Sequence, residues 1–346
     1  MPRPTLISLA RELGVSRQTI SNVINAPHLV REETRERVRA GIKASGYRPS
    51  AAARALRTRR SFTVGMRLAP LTDGIHGAIM DRLLHATTEA LQARGYQPTL
   101  FTAATADEEV AKLGDLFDSG VIDAGILAYG DAGDTRPAAL TARAVPFVTF
   151  GRPWDDDAAT HAWVDVDNAV GVTEATRHLQ GLGHRRIGFI GWDGASDVGA
   201  ERRQGWLAGM TGEADLEQLE MITDDGVCEG AVAMAELRSR GATAAVCASD
   251  SLALGALSHL RADPPEGFDP ASAVFGFDDS PVAQALGLSS VAQPVGEVAG
   301  VLVGLLIETL SGSVADRDVM LPSTARPRDR HIVGDHAVCY SVHEPA

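Results

Sequence analysis

The chain has 346 residues, 45% of them hydrophobic and 22% charged, with a formal charge of −13. That length and composition exclude a disordered chain and a single small domain, and predict two or three globular units with sizeable cores. The charge is unevenly placed: residues 1–60 hold 13 Lys or Arg against 4 Asp or Glu, and the remainder holds 19 against 41, so a basic head precedes an acidic body.

Leu6, Leu9, Ala10 and Leu13 recur at helical spacing and predict a first amphipathic helix. Gly14 then suits a turn, and Ser16 can N-cap a second helix through its hydroxyl. In that helix Ile20, Val23 and Ile24 share one face, while Gln18, Ser21 and Asn22 share the other, with Arg17 at the leading edge. A third helix is predicted from Glu32 to Ser45, with Val38 and Ile42 turned inward. Two helices joined by a short glycine turn, the second polar on its outer face, make a helix-turn-helix. The second helix of such a unit lies in the major groove, where Arg17 can read guanine and Gln18 adenine through paired hydrogen bonds. Ser16, Ser21 and Asn22 complete the expected DNA-binding surface through phosphates or flanking bases.

In GYRPSAAARALRTRR, Gly46 to Arg60, Pro49 stops the third helix, and Ala51 to Leu56 favours a helix too short to be stable alone. Arg54 and its neighbouring arginines flank Leu56. This stretch is either a charged linker or a helix that folds on DNA with Leu56 as an apolar wedge in the minor groove.

Short apolar runs then alternate with helical stretches. The runs include 62–69, 98–103, 124–129, 146–151, 186–192, 244–249 and 273–279, and the helical stretches include Met80 to Gly95 and Ala169 to Gly181. Such alternation predicts an α/β body with parallel sheets, and so many strands call for two similar lobes. Ligands of open α/β sheets sit beyond the carboxyl ends of the strands. The positions just after the runs hold Arg152, Trp154, Trp192, Asp250 and Asp278, with Arg202 close behind one of them. Carboxylates and arginines can hydrogen-bond sugar hydroxyls while a tryptophan face packs the C–H surface. The same residues admit plainer roles: interlobe packing for the tryptophans, helix capping for Asp278 and Asp279, and solvent exposure for one of Arg202 and Arg203.

The sequence has no nucleophile elbow, zinc-protease helix or phosphate-loop motif, so no enzyme, cofactor or metal site is expected. Asp165 and Asp167 in WVDVDN fall on one strand face, where capping of the next helix by Asp167 outweighs acid–base chemistry. His184 in GLGHRR lacks a dinucleotide fingerprint around it and reads as the link between a helix and a strand. Cys228, Cys247 and Cys339 show no metal or redox spacing, and the first residues have no signal-peptide character. The most apolar run, Val298 to Ile307, is too short to span a bilayer, so a cytoplasmic protein without a membrane partner is expected.

PTLISLARELGVSRQTISNVINAPHLVREETRERV followed by GYRPSAAARAL resembles the head and hinge of the LacI/GalR family of bacterial transcription regulators. GHRRIGFIGW, RRQGW, ASDSLALGAL, VFGFDDS, SVAQP and LPSTARPRDR stand in that family's order through the body. The resemblance implies an all-α helix-turn-helix DNA-binding head over 1–48, a hinge helix or linker over 49–61, and an α/β two-lobed periplasmic-binding-protein-like effector domain over 62–340. Lobe one is expected at about 62–162 plus 293–324, and lobe two at about 163–292 plus 325–340. By position, Arg17, Gln18 and Asn22 match the family's base-reading residues and Leu56 its minor-groove wedge, while Arg202 and Asp278 match its effector-binding arginine and aspartate. Some positions depart from the pattern: Arg31 replaces a capping serine, Ser50 an asparagine, and Ser249 the asparagine before Asp250. Gly151-Arg152 replaces an Asp-Arg pair, which shifts the expected polar contact onto Arg152. The function implied is sequence-specific transcriptional regulation by a homodimeric repressor, released from a palindromic double-stranded DNA operator by a small sugar-like effector. A purine or other non-sugar corepressor, or a plain small-molecule-binding protein, are the alternatives left open.

Overall fold

The computed structural model describes residues 4–47, 58, 60–68, 77–128, 130–155, 159–192, 196–210, 215–313 and 318–328. The chain divides into two compact units, Met1–Phe62 and Thr63–Ala346.

The first unit contains α1 (Leu6–Glu12), α2 (Arg17–Asn25) and α3 (Glu32–Ser45). A capping box starts α1: Thr5 and Ser8 each accept the other's backbone N–H. Gly14, at φ 62°, turns the chain, and Ser16 Oγ caps α2 by accepting the Thr19 N–H at 3.0 Å. Arg31 starts α3 without a side-chain cap; Glu32 and Glu33 in the first turn compensate by facing the positive end of the helix. Leu9, Ile20 and Val38, one from each helix, are buried together at the centre, with Leu6, Leu13 and Ile42 packed around them. Each such burial stabilises by about 1.5–3 kcal/mol, which gives this small unit a core of its own. The hinge positions Arg54 and Leu56 lie outside the described residues.

The second unit opens with β1 (Thr63–Arg67), α4 (Ala78–Ala93), β2 (Gln97–Phe101), α5 (Ala106–Asp118), β3 (Ala124–Ala128), α6 (Arg136–Ala142), β4 (Phe147–Phe150) and β5 (Trp163–Asp167). It continues with α7 (Asn168–Gly181), β6 (Ile187–Gly191), α8 (Asp197–Gly209), β7 (Glu220–Ile222), α9 (Val227–Ser239), β8 (Ala244–Cys247) and α10 (Asp250–Ala262). The last elements are β9 (Val274–Phe277), α11 (Pro281–Leu286), β10 (Ser289–Ala292), α12 (Val295–Ser311), β11 (Asp318–Pro322) and β12 (Thr324–Arg326).

These strands form two six-stranded sheets, ordered β11-β5-β4-β3-β1-β2 and β12-β10-β9-β8-β6-β7. All pairings are parallel except β10 with β12. Every residue of β6, β8 and β9 is buried, as expected of parallel strands covered by helices on both faces. Phe189, Trp206, Phe275 and Phe277 fill the second lobe, and Leu113, Leu127, Leu140 and Phe147 fill the first. α9 and α10 meet backbone to backbone: a Cβ on Gly255 would lie 2.0 Å from the Val227 carbonyl oxygen, and one on Gly230 2.1 Å from that of Leu252.

The lobe boundaries differ from the expected ones. β5 pairs with β4 and β11, so the first lobe runs through Asp167 rather than ending at 162. β12, from Thr324, pairs with β10 and belongs to the second lobe. The alternating WVDVD segment looks the same whichever sheet takes it; only its partner strands decide. The chain crosses between lobes three times, at Asp167–Asn168, between Ala292 and Val295, and at Ser323. α12, which contains the apolar run Val298 to Ile307, packs on α4, β4 and β5 of the first lobe. Among the described residues no helix is long and apolar enough to cross a membrane.

Candidate functional site

Residues that follow strand ends in one lobe bond to residues that follow strand ends in the other. Arg152, just after β4, donates from Nε to Asp165 Oδ2 at 2.7 Å and from Nη2 to Glu201 Oε1, on α8 of the second lobe, at 2.6 Å. The Ala132 N–H donates to Asp197 Oδ2 at 2.5 Å, and the Asp197 N–H returns a bond to Asp131 Oδ1 at 3.2 Å. Burial raises the Asp131 pKa, and the neighbouring Asp197 charge adds to the rise. Arg82 of α4 reaches across to the carbonyl oxygens of Asp278 and Asp279, at 2.8 and 3.3 Å.

Between these contacts runs a chain of polar side chains. Glu201 Oε2 accepts from Asn168 Nδ2 at 2.7 Å, and Asn168 Oδ1 accepts from Arg202 Nε at 3.1 Å. Arg202 is buried, donates from Nη1 to the Ala248 carbonyl at 2.5 Å, and lies with its guanidinium 3.6 Å over the Phe277 ring and 5.0 Å from that of Trp192. Its Nη2 stands 3.9 Å from Asp278 Oδ1, which accepts from Gln293 Nε2 at 2.7 Å. Asp278 holds φ at 99°, a backbone region that costs a side-chain-bearing residue about 1–3 kcal/mol and that clusters at ligand sites.

The structure thus gathers Arg152, Trp192, Arg202 and Asp278 along one interlobe line. Trp154 is braced in the first lobe: its indole N–H donates to the Gly130 carbonyl at 3.1 Å, and Arg152 lies 4.1 Å over its ring. Asp250, expected at the ligand from its place after a strand, is bonded within the second lobe. Its Oδ2 accepts the Ser280 N–H at 2.7 Å and its Oδ1 accepts the Ser290 hydroxyl at 2.6 Å, so it ties strand ends together inside the second lobe. Helix capping falls to Ser280 rather than to Asp278 or Asp279, while Asp167 caps α7 by accepting the Val170 N–H at 3.0 Å. His184 is buried, stacks on Phe268 and pairs with Thr243 Oγ1 at 2.9 Å; burial lowers its pKa to about 4, so it stays neutral.

Sequence reasoning missed Asn168, Glu201 and Gln293. Asn168 and Gln293 sit at chain crossings, and Glu201 precedes the arginine that was singled out. Their only sequence signal is that they border segments already of interest.

Burial raises the Asp250 pKa from the ordinary aspartate range to about 7, opposed by the Ser290 hydrogen bond. Between about pH 4 and about pH 7 the unfolded chain has released this proton and the folded chain keeps it. Folding stability contributed by Asp250 is therefore present at the acid end and lost as pH rises to about 7. Chemical denaturation across this window is expected to show that slope in the wild type and to lose it in Asp250→Asn. An unchanged slope assigns the titration to another group.

In the head, Arg17 and Gln18 are exposed on α2, opposite the buried Ile20 and Val23. Gln18 Nε2 donates to Asn22 Oδ1 at 2.9 Å, and Asn25 Nδ2 donates to the Ser21 carbonyl at 2.8 Å, so the polar face is laced at i, i+4 spacing. Ser16 stands at the helix N-terminus with its hydroxyl in the cap.

Residues 5–50 match the family described as bacterial regulatory proteins, lacI family, and residues 176–331 match the periplasmic binding protein-like domain. The HTH-type transcriptional regulator CelR of Thermobifida fusca is 34% identical over 327 residues, spanning 91% of this chain and 94% of CelR. A solved CelR–cellobiose complex is similar with a TM-score of 0.67 at 31% identity, covering 94% of this chain and 99% of that one. The lac repressor dimer bound to operator and the anti-inducer ONPF is similar in fold, with a TM-score of 0.75 at 21% identity over 94% and 98% of the two chains. On these grounds the chain belongs to the lacI family of bacterial regulatory proteins: it is a DNA-binding transcriptional regulator and not an enzyme.

Proposed function

We propose that the protein is a cytoplasmic homodimeric repressor that leaves a palindromic operator when a sugar-like effector enters between the lobes of its body. The observation that carries this reading is the unbroken polar chain from Arg152 through Glu201, Asn168, Arg202 and Asp278 to Gln293, with Trp154 and Trp192 beside it. Sugar hydroxyls can enter such a chain as both donors and acceptors, and indole faces take up the C–H surface of a sugar ring. The cellobiose held by CelR supports a saccharide. In this reading the head, to about residue 48, reads one half-site with Arg17, Gln18, Ser21 and Asn22, while Ser16 approaches a phosphate. The hinge at 49–61 then brings Arg54 and Leu56 to the operator centre. A bound sugar lowers DNA affinity because it holds the lobes in an arrangement that the operator-bound protein does not favour.

Selection of DNA from a random pool by the full-length protein is expected to yield a palindrome. In Arg17→Ala, preference at one base pair of each half-site is expected to relax by about 1–3 kcal/mol while the other positions keep theirs. Unchanged preference removes Arg17 from base reading. Saccharide added to the protein–operator complex is expected to release the DNA; a saccharide that tightens the complex reverses the proposed sign, and release by a purine alone rejects the sugar.

A further inference from the structure

The turn from β9 to α11 is strained. Asp278 holds φ at 99° and Asp279 follows at 49°, so two successive side-chain-bearing residues lie in the left-handed half of backbone space. The two peptide groups within this turn are each gripped at both ends. The Asp278–Asp279 peptide donates its N–H to Ser290 Oγ at 2.9 Å, and the Ser290 hydroxyl donates in turn to Asp250 Oδ1 at 2.6 Å. The Asp279–Ser280 peptide donates its N–H directly to Asp250 Oδ2, at 2.7 Å. The carbonyl oxygens of the same two peptides both accept from Arg82 Nη1, at 2.8 and 3.3 Å. Asp250 lies buried in the second lobe at the start of α10, whereas Arg82 belongs to α4 of the first.

A trans peptide points its N–H and its C=O in opposite directions. Rotating either peptide plane to relieve the strain would therefore break a bond to Arg82 and a bond to Asp250 or its Ser290 relay together. Bonds at opposite ends of one peptide also strengthen each other. Gln284 of α11 donates to the Asp279 carbonyl too, at 3.0 Å, but from the lobe that carries the turn. The same turn aims the Asp278 carboxylate, whose Oδ1 lies 2.7 Å from Gln293 Nε2 and 3.9 Å from Arg202 Nη2. We infer that Arg82 is a positioning residue: acting with Asp250 through two shared peptide planes, it makes the aim of Asp278 depend on how the first lobe is seated. Regulation by this route rests on the effector reading above; the test below uses no effector, so the two can fail separately.

The test is amide hydrogen exchange of the full-length protein, at a pH above the Asp250 titration at about 7. Mass spectrometry with fragmentation reads the Asp279 and Ser280 N–H groups and, as a control, residues 83–91 of α4. Arg82→Met keeps the side chain's reach and loses its donors. It is expected to speed exchange at Asp279 and Ser280 about tenfold or more and to leave residues 83–91 unchanged. Arg82→Lys, which still offers a donor, is expected to restore most of the protection. Asp250→Asn is expected to speed the same two amides. The double variant is expected to exchange about as fast as the faster single one, because one release already frees both planes. Unchanged exchange in Arg82→Met, or a lysine no better than methionine, overturns the inference. Equal acceleration over residues 83–91 replaces it with a loosening of α4. Factors that multiply in the double variant give Arg82 and Asp250 separate roles and overturn the shared path.

Discussion

In an Arg202→Ala protein the ligand response is expected to disappear and the body to lose about 3–5 kcal/mol of stability. The two effects share one cause. Arg202 is 4% exposed, so its charge is compensated almost entirely by protein groups: Asn168, the Ala248 carbonyl, Asp278 and the ring face of Phe277. Removing it leaves Asp278 buried beside Gln293, which donates to its Oδ1, and without the facing cation, and it removes a desolvated cation–π contact that contributes about 2 kcal/mol. The polar chain is cut in the middle, so a ligand that depends on its continuity loses its anchor. Denaturant titration gives the stability, and the thermal shift with a saccharide that releases the operator gives the response. Operator binding well below the melting range is expected to persist, because the DNA-reading helices have a core of their own around Leu9, Ile20 and Val38. A variant that keeps the wild-type thermal shift places the ligand elsewhere.

Gly255→Ala is the second large effect, and here two opposing magnitudes decide. Alanine in a helix interior is favoured over glycine by about 1 kcal/mol. The new Cβ, however, would lie 2.0 Å from the Val227 carbonyl oxygen and 2.6 Å from the Ala231 nitrogen, both main-chain atoms that cannot rotate away. α9 and α10 must then separate along their contact, at an overpacking cost of about 3 kcal/mol, so the clash wins. Gly300, on the exposed side of α12 with nothing within 4 Å, is the control: alanine there is expected to raise stability by up to about 1 kcal/mol. Equal denaturation midpoints for wild type and Gly255→Ala would show that the helices part without loss.

The parts of the molecule that follow local rules could be read from the sequence. Gly14, Ser16 and the apolar stripe of α2 define the head because turn, cap and helical period lie within a few residues of one another. The fully apolar strands β6, β8 and β9 stand out because parallel strands bury both faces. The edge strand β11 did not stand out: it has alternating exposure and ends in Pro322, and its partner β5 lies far back in the chain. Within the site, Arg202 and Asp278 were legible as charged residues beyond strand ends. Gln293 and Asn168 were not, because an amide acquires meaning only through the neighbours that three chain crossings deliver. Asp250 stands after a strand, as a ligand contact would, and its bonds to Ser280 and Ser290 within the second lobe depend on residues some 30 to 40 positions away that the strand end alone does not announce.

The interleaved topology also sets an order of events on the ribosome. The first lobe is begun at β1 but needs α12 and β11 to cover α4 and to flank β5, and these are translated only after β10 of the second lobe. At usual elongation rates, roughly ten to thirty seconds separate the emergence of β5 from that of its outer partner. During that interval the nascent second lobe has its central strands in hand, while the older half of the protein still shows the apolar surface that α12 will cover. The half made first is still waiting for two of its elements when most of the second is made, so a message that ends just after β10 damages the older lobe more than the younger one.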